Sequence, residues 1–209
     1  MKEKFIVIGD THGCLRPTLE VVDTCNKLYP THKIIFLGDY LDRGLEVSEL
    51  IQFISTLNAV FLLGNHEQMF FSNLNVLINN NFDQKTIVGF LSKYRIDDYC
   101  LNWLSNNLKI KHETAEYIFS HAGLNPKKSI NDQNADDYLW SNSIDSYKLI
   151  TKKIVVHGHT MVKNVSINDN NINIDTGCGK GGKLSALILP EMDIISSKSI
   201  GFDLESHCI

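Results

Sequence analysis

Polar residues able to bind a metal ion or a proton follow five short apolar runs of the sequence. The runs read FIVIGD, KIIFLGD, AVFLLGNH, EYIFSH and KIVVHGH, and they are rich in isoleucine, valine and phenylalanine, as buried strands are. A Gly-Asp pair after a single strand is a common turn, but five successive strand ends with nitrogen or oxygen ligands indicate a site. The candidate residues at these ends are Asp10, His12, Asp39, Asn65, His66, His121, His157 and His159.

The chemical types of these side chains indicate what they bind. Imidazoles, carboxylates and an amide oxygen suit Mn, Fe, Zn or Co, rather than a thiolate site or an all-oxygen calcium cage. The set is too large for one tetrahedral ion, whereas two ions about 3.5–4 Å apart can clamp both ends of an in-line displacement at phosphorus. Asp42 and Arg43, just after Asp39, are then either a surface turn or part of a site for metal and phosphate.

Helical patterns separate the first strands and would position these residues. The segment from about Leu15 to Leu28 predicts a helix with Leu19, Val22 and Leu28 on its buried face. Alternating strands and helices predict parallel strands with right-handed crossovers, so we expect the polar strand ends along one edge of one sheet. The next helix has apolar residues at helical spacing, namely Val47, Leu50, Ile51 and Ile54.

The rest of the chain predicts one helical insertion and further antiparallel strands. Residues 67–107 read as a helical insertion beside the site, with a loop at residues 79–81. Residues 165–174 alternate around an Asp-Asn-Asn turn, which predicts a hairpin, and KLSALIL and DIISSKSI predict two more strands. With no repeat and no linker, we expect one α/β domain over residues 1–209, with central mixed β-sheets flanked by helices.

Composition and charge exclude several functional classes. The 209 residues carry a net charge of −4, which does not favour a nucleic-acid or membrane-surface binder. The five scattered cysteines, without CxxC spacing, indicate reduced thiols, and no apolar run approaches the ~20 residues of a membrane span. The apolar run near the N-terminus is too short for a signal-peptide core, so we expect a cytoplasmic protein.

Five motifs together resemble a known family. GDTHG at 9–13, GDYLDRG at 38–44, GNHE at 64–67, SHAG at 120–123 and HGHT at 157–160 resemble, in order and spacing, the motifs of the phosphoprotein-phosphatase branch of the calcineurin-like metallophosphoesterases. YLWS at 138–141 and IDTGCGKGGKLSALIL at 174–189 are similar to segments of its small bacterial and phage members. The resemblance covers nearly the whole chain and implies the family's β-sandwich core.

The resemblance also implies a ligand set for two divalent metal ions. The ions would be Mn, with Fe or Zn as alternatives. His159 is preferred to His157, because it occupies the ligand position of the GH motif, and His157 would then support the ligands or lie at a sheet edge. The first ion would take Asp10, His12 and Asp39, and Asp39 would bridge to a second ion completed by Asn65, His121 and His159.

Catalytic roles follow from the same resemblance. A metal-bridging hydroxide would attack phosphorus in line, while His66 protonates the leaving group. Asp42 would orient the His66 imidazole, and Arg43 and Asn65 would bind the substrate's phosphate. The alternative for His66 is a seventh metal ligand.

The sequence departs from the family pattern in its arginines. Many protein-phosphatase members have an arginine where this chain has Leu63, and another after the LWS segment, where WSNSIDS has none. We expect weaker phosphate binding from the one remaining guanidinium of the motifs, Arg43. Compensation would come from Arg16 or from the lysines of the glycine-rich segment, Lys180 and Lys183, unless those lysines are a solvated turn.

These observations predict a dinuclear-metal phosphomonoester hydrolase, a serine/threonine protein phosphatase acting on a phosphorylated protein or a small phosphoester, with phosphotyrosine as a further candidate substrate. The alternative within the family is a dinucleoside-polyphosphate hydrolase acting on diadenosine tetraphosphate, because some of those enzymes share the missing arginine at Leu63. A non-catalytic metal-binding scaffold is the third hypothesis. It is disfavoured because a scaffold has no need for the general acid His66 with Asp42 and Arg43.

Overall fold

Two mixed β-sheets form the centre of the protein, and helices flank them. The computed structural model describes residues 3–142 and 146–199. The strands in this part of the chain are β1 Phe5–Ile8, β2 Lys33–Phe36, β3 Ala59–Leu62, β4 Leu108–Lys109, β5 Lys111–Glu113, β6 Tyr117–Ser120, β7 Ile154–His157, β8 Ser166–Asn168, β9 Asn171–Asn173, β10 Ser185–Leu189 and β11 Asp193–Ser196.

The first sheet has the order β11-β10-β1-β2-β3-β4 and the second the order β5-β6-β7-β9-β8. β1, β2, β3 and β4 are parallel to one another, while β10 and β11 add antiparallel strands at the other edge of β1. In the second sheet β6, β7 and β9 are parallel, and β5 and β8 pair antiparallel at the edges. All five apolar runs are strands, and the predicted hairpin is β8–β9.

Alternate side chains of the central strands pack into two different hydrophobic cores. Phe5 and Val7 of β1 lie between the sheets with Phe119 and Val156, whereas Ile6 and its neighbours of the same parity pack under the helices. Such alternation follows from the two-residue period of a strand. Because both faces are covered, the strands read as continuous apolar runs.

Six α-helices are described: α1 Leu15–Leu28, α2 Val47–Ser55, α3 Asn65–Asn79, α4 Gln84–Lys93, α5 Asp98–Asn107 and α6 Ala135–Trp140. All four predicted apolar residues of α2 are buried. In α1 the predicted face is wrong for Leu19 and Leu28, which are 39% and 63% exposed. The buried stripe of α1 is shifted by about one residue and includes two small side chains; it consists of Thr18, Val21, Val22 and Cys25.

The middle of the chain forms the helices α3, α4 and α5. α3 begins at Asn65, two residues before the predicted start, so the helix carries part of the candidate site in its first turn. Asp83 and Asp97 cap α4 and α5 by accepting hydrogen bonds from backbone N–H groups. Of the predicted loop at 79–81, Asn79 ends α3 and the turn follows it. A single domain over residues 1–209 stays a prediction.

The strand ends with polar residues lie on two sheets, so the prediction of one edge of one sheet is wrong. β1, β2 and β3 belong to the first sheet, and β6 and β7 belong to the second. Strands that share a core between two sheets have the same apolar pattern as strands of one sheet, so the sequence cannot separate the two arrangements. None of the helices in residues 3–142 and 146–199 has the length and apolar character needed to cross a membrane.

Candidate metal centre

The backbone at the strand ends adopts an uncommon conformation. His12, Asp39, Asp42, Arg43 and His159 all have positive φ, between 44° and 69°. Side chains other than glycine rarely occupy this left-handed region, although Asp and His tolerate it better than most. Such strain, of order 1–3 kcal/mol per residue, persists only where the surroundings hold it, and it is typical of functional sites.

Hydrogen bonds between loops hold this conformation. The backbone N–H groups of Thr11 and His12 both donate to the Asp39 carbonyl, at 3.2 and 2.8 Å, and the N–H of Gly44 donates to the His12 carbonyl at 2.9 Å. In the second sheet the N–H of Gly158 donates to the His121 carbonyl at 2.8 Å. Each loop is therefore positioned by its neighbour.

The buried carboxylate of Glu67 fixes the loop after β2. Its Oε2 accepts from the N–H groups of Asp39 and Gly64 at 2.9 and 3.0 Å, and its Oε1 accepts from those of Tyr40 and Leu41 at 2.8 and 3.0 Å. Burial and the Asp39 charge raise the pKa of Glu67 to about 7, while the N–H donors oppose this shift. Glu67 had no role in the predictions from the sequence, although an acidic residue in the first turn of a helix is a capping signal.

Two glycines let the backbone approach the carboxylates closely. A Cβ on Gly64 would lie 2.1 Å from Asp39 Oδ1, and a Cβ on Gly158 would lie 2.0 Å from Asp10 Oδ1. Any other residue at these positions would displace the carboxylates.

Asp39 lies between two imidazoles, one from each sheet. The Nδ1 atoms of His12 and His121 are 2.8 and 3.0 Å from the carbonyl oxygens of Leu41 and Leu37, so each ring donates its Nδ1–H there. The Nε2 atoms then carry lone pairs. His12 Nε2 lies 3.4 Å from Asp39 Oδ2, and His121 Nε2 lies 3.4 Å from Asp39 Oδ1. The two oxygens of Asp39 thus face two separate groups of ligands.

Asn65 contacts His121 and His159, the two candidate ligands that follow strands of the second sheet. Its Oδ1 is 2.8 Å from His121 Nε2 and 3.1 Å from His159 Nδ1. Because the His121 Nε2 atom is an acceptor when its Nδ1 is protonated, two acceptors face each other at the shorter distance. A cation between these atoms would turn this unfavourable contact into coordination.

Asp10 completes the cluster of acceptors. Its Oδ2 accepts from the His159 N–H at 3.1 Å, while its buried Oδ1 has no hydrogen-bond partner among the described residues. Burial raises the pKa of Asp10 well above its usual value, and the charges of Asp175 and Asp39 raise it further. Burial likewise raises the pKa of Asp39 to about 6. Buried carboxylates with raised pKa values favour a bound cation, because the cation stabilises their ionised form.

The imidazoles of the cluster are held neutral, which is the form that binds metals. Burial and the Arg43 charge lower the pKa of His12 well below its usual value. Burial lowers the pKa of His121 to about 3 and that of His159 to about 4. Neutral imidazoles beside strained carboxylates form a donor set that fits divalent cations.

Two groups of potential ligand atoms share Asp39. The ligand atoms of His12, Asp39 and His66 lie within 4.8 Å of one another, and so do those of Asp10, Asp39 and His121. The shared carboxylate agrees with the predicted bridge. The grouping differs from the predicted sets in placing Asp10 with His121, and it keeps open the alternative in which His66 is a ligand.

His66 is held by a carboxylate and a guanidinium. Its Nδ1 is 2.5 Å from Asp42 Oδ2, and its Nε2 is 3.4 Å from Arg43 Nη2 and 3.9 Å from Asp39 Oδ2. Burial lowers the pKa of His66, but the hydrogen bond that its Nδ1–H donates to Asp42 and the charges of Asp39 and Asp42 outweigh this effect, so the pKa is raised. The Nε2 atom therefore faces the cluster while Asp42 fixes the ring.

His157 is turned away from the cluster. The ring is fully buried, with Nε2 2.7 Å from Asn171 Oδ1 and Nδ1 3.0 Å from the Gly158 carbonyl oxygen. With both ring nitrogens engaged at the sheet edge, it offers no free ligand atom. This placement matches the interpretation of His157 as a sheet-edge residue.

Arg43 is the cation that acts most widely on the cluster. Burial raises the pKa values of Asp10 and Asp39, and the charge of Arg43 opposes this rise at both carboxyls. Among the proposed substitutes, Lys180 opposes the rise in pKa that burial causes at Asp175. The backbone N–H of Leu63, the position where the resemblance to protein phosphatases implies an arginine, donates to the Lys109 carbonyl at 2.7 Å. Residues 143–145 of the arginine-free WSNSIDS segment lie outside the described residues.

Curated relatives are named as tetraphosphatases. The chain is 27% identical to the asymmetrical bis(5'-nucleosyl)-tetraphosphatase PrpE of Anoxybacillus flavithermus, over 92% of this chain and 93% of the relative. It is 29% identical to a symmetrical bis(5'-nucleosyl)-tetraphosphatase of Marinomonas sp., over 68% of this chain and 54% of that relative.

Solved structures share the fold. A crystal structure assigned as a diadenosine tetraphosphatase has a TM-score of 0.74 at 20% identity and covers 96% of this chain and 95% of that one. A serine/threonine phosphatase of Saccharomyces cerevisiae has a TM-score of 0.61 at 17% identity, over 96% and 81% of the two chains. The family model of the calcineurin-like phosphoesterases matches residues 3–183, and the chain therefore belongs to that family.

Proposed function

We propose that the protein hydrolyses dinucleoside polyphosphates, with diadenosine tetraphosphate as the representative substrate, at a site for two divalent metal ions. The observation that carries the hydrolase part is Asp39, whose two oxygens face imidazole lone pairs from different sheets, as a bridging carboxylate would. The choice of substrate class rests on the tetraphosphatase relatives, one of which aligns along nearly the full length of both chains. This was the alternative, not the leading, hypothesis from the sequence.

Six residues would hold the ions, which we propose to be Mn, with Fe or Zn as alternatives. Bound there, the ions would supply positive charge to the phosphoryl oxygens and acidify an attacking water. The first set is Asp10, His12 and Asp39, and the second set is Asp39, Asn65, His121 and His159.

The remaining residues would act on the substrate directly. Arg43 and Asn65 would hold the phosphoryl oxygens, Arg43 through its planar fork of donors. As the imidazolium, His66 would donate the proton on Nε2 to the leaving oxygen, while Asp42 accepts the Nδ1–H and fixes the orientation of the ring. The hydrogen bond to Asp42 would thus orient the acid without placing it in the coordination sphere.

Substrate competition tests the proposal. Purified protein with added Mn is assayed on diadenosine tetraphosphate, a phosphoserine peptide and a phosphotyrosine peptide, and the nucleotide products are separated. We expect the highest kcat/KM on the tetraphosphate, with loss of activity in Asp39→Asn. ATP plus AMP would identify asymmetrical cleavage and two ADP symmetrical cleavage. A phosphopeptide turned over faster than the tetraphosphate would refute the substrate assignment.

A serine/threonine phosphatase activity is the second candidate, and the His66–Asp42 pair favours it. An alkoxide leaving group needs a proton, whereas a phosphate leaving group, with a pKa of about 6, leaves without one at neutral pH. An acid with a raised pKa is therefore most useful on a phosphoserine ester.

The substitution His66→Asn tests whether each candidate substrate needs a general acid. Loss of a general acid costs about 10²–10⁴ in kcat. We expect that loss on phosphoserine and a much smaller one on diadenosine tetraphosphate, with metal content unchanged. Equal losses on both substrates, together with one missing ion, would instead make His66 a ligand.

A further inference from the structure

We propose that Trp140 forms a stacking platform for a nucleobase of the substrate, in a subsite next to the metal centre. This inference rests on the proposed function and specifies how the nucleoside part is recognised. None of the roles derived above uses this side chain.

Trp140 lies beside a proposed metal ligand and remains open to solvent. Its ring centroid is 6.1 Å from that of His159, with an angle of 80° between the planes, and 43% of the residue is exposed. His159 in turn lies 5.1 Å from His121, centroid to centroid. An exposed indole thus borders a cluster of otherwise buried polar groups.

The backbone around Trp140 is tied to the site. Trp140 is the last residue of α6, and the Tyr138 carbonyl two residues earlier accepts from the N–H of Ala122, next to His121, at 2.7 Å. The other end of α6 is capped by Asn134, whose side chain accepts from the N–H of Asp137. The helix therefore holds the indole at a fixed distance from the second sheet's ligands.

The indole side chain is itself oriented from α3. Trp140 Nε1 donates to Gln68 Oε1 at 2.5 Å, and Gln68 Nε2 donates to Asp136 Oδ1 at 2.9 Å. Gln68 lies one helical turn after Asn65, so the same helix positions a proposed ligand and the indole. Because the only polar atom of the ring is already paired, a ligand that contacts the ring meets aromatic carbon. Little ordering entropy remains to be lost when a flat ligand stacks there.

A nucleobase fits this surface better than a phosphate or a peptide backbone would. Every base has a π-face, and stacking on an aromatic side chain tolerates different bases. In a nucleoside 5'-phosphate ester only the ribose separates the base from the phosphorus. A base on Trp140 would therefore bring its phosphate toward His159. A phosphopeptide that packs an apolar residue on Trp140 is the competing occupant.

Fluorescence tests the contact without turnover. The chain has two tryptophans, and the second, Trp103, is buried against Phe61. The protein is loaded with diamagnetic Zn²⁺ and titrated with AMP, and in parallel with inorganic phosphate. We expect AMP, and not phosphate, to quench the emission saturably, and we expect the quenching to disappear in Trp140→Phe, where only Trp103 emits. Equal quenching by AMP in wild type and Trp140→Phe would overturn the proposal.

Steady-state kinetics test how much Trp140 contributes to the recognition of diadenosine tetraphosphate. Trp140→Ala should raise KM for diadenosine tetraphosphate by about 5- to 150-fold. Trp140→Phe should raise KM by a smaller factor. Gln68→Ala should raise KM by an intermediate factor, because the indole loses its hydrogen bond to Gln68. Tyr99→Ala, which removes a 53%-exposed aromatic ring on α5, is the matched control and should leave KM unchanged. An unchanged KM in Trp140→Ala would overturn the proposal, as would an equal rise in KM for the phosphoserine peptide.

The two proposals fail separately. Wild-type protein that does not cleave diadenosine tetraphosphate but shows AMP quenching through Trp140 would refute the proposed substrate and support the stacking subsite. Cleavage of the tetraphosphate with no effect of Trp140→Ala or Trp140→Phe would refute the subsite alone.

Discussion

Asp39→Asn should stabilise the metal-free protein while abolishing its stabilisation by metal. Burial raises the pKa of Asp39 from 3.8 to about 6. A carboxyl group with a raised pKa in the folded state favours folding while it is protonated, and that contribution is lost as the pH rises from 3.8 to 6. Above pH 6 the ionised, buried carboxylate therefore costs ~3 kcal/mol of the free energy of unfolding.

Asparagine removes this cost and keeps the local contacts. Its amide oxygen can still accept the N–H of His66, which lies 3.1 Å from Asp39 Oδ1. Its NH₂ group can donate to His12 Nε2, which lies 3.4 Å from Oδ2. Asparagine also tolerates the positive φ of 55° at this position. For a chain of this size, 3 kcal/mol corresponds to a rise in Tm of about 6–12 °C.

The assay is thermal unfolding of chelated wild type and Asp39→Asn at pH 8 and pH 5, with and without Mn. The exposed carboxylate of Asp132 provides the control, Asp132→Asn, which should change neither Tm nor its response to Mn. The difference between wild type and Asp39→Asn should be larger at pH 8 than at pH 5. A variant that is less stable than chelated wild type at pH 8, or that still gains stability from Mn, would refute the reasoning.

Three further results are expected. Mn at a fixed concentration of about 100 times its Kd at pH 8 should stabilise the wild type by ~2.7 kcal/mol at that pH. The same concentration should stabilise it less at pH 5.5, because Asp10 and Asp39 have raised pKa values and must lose their protons to bind Mn; a gain independent of pH would contradict this. Glu67→Ala should lower the free energy of unfolding by about 4 kcal/mol or more in urea, since four buried N–H groups lose their acceptor, whereas exposed Glu20→Ala should change it little. Arg43→Ala should raise the inhibition constant of phosphate about 10- to 150-fold. Arg43→Lys should recover part of the lost phosphate affinity. Equal inhibition of the wild type and both variants by phosphate would exclude Arg43 as the residue that binds phosphate.

Strand and helix patterns predicted most of the fold because both faces of the central strands are covered. Continuous apolar runs closed by polar residues located β1, β2, β3, β6 and β7, and helical spacing located α1 and α2. The face of α1 was missed because small residues, Thr18 and Cys25, form its contact, and a search for large apolar side chains selects Leu19 and Leu28 instead. The division into two sheets depends on long-range pairing that no local pattern records.

Side chains of the candidate site were predicted, but the groups that position them were only partly predicted. Ligand types at strand ends carry their chemistry in their identity, so Asp39 and His121 were candidates from the sequence alone, and the structure places them 3.4 Å apart. Glu67 acts through backbone N–H groups of a loop distant in sequence, and Trp140 acts through a hydrogen bond to Gln68 across two helices. Neither partnership leaves a periodic signal in the sequence.

The charge balance of the site links its stability to its proposed substrate. The carboxylates of Asp10, Asp39 and Asp175 are buried, and the charge of Asp175 opposes the ionisation of the other two. Arg43 is the cation that acts on all three, while Lys180 acts on Asp175. Without cations, an anionic polyphosphate would meet a site of the same sign. Two divalent ions would reverse that sign, so the ions that relieve the strain of the buried carboxylates also create the attraction for phosphate. Phosphate affinity should therefore follow metal occupancy, and the scarcity of arginines is tolerable only while the metals are bound.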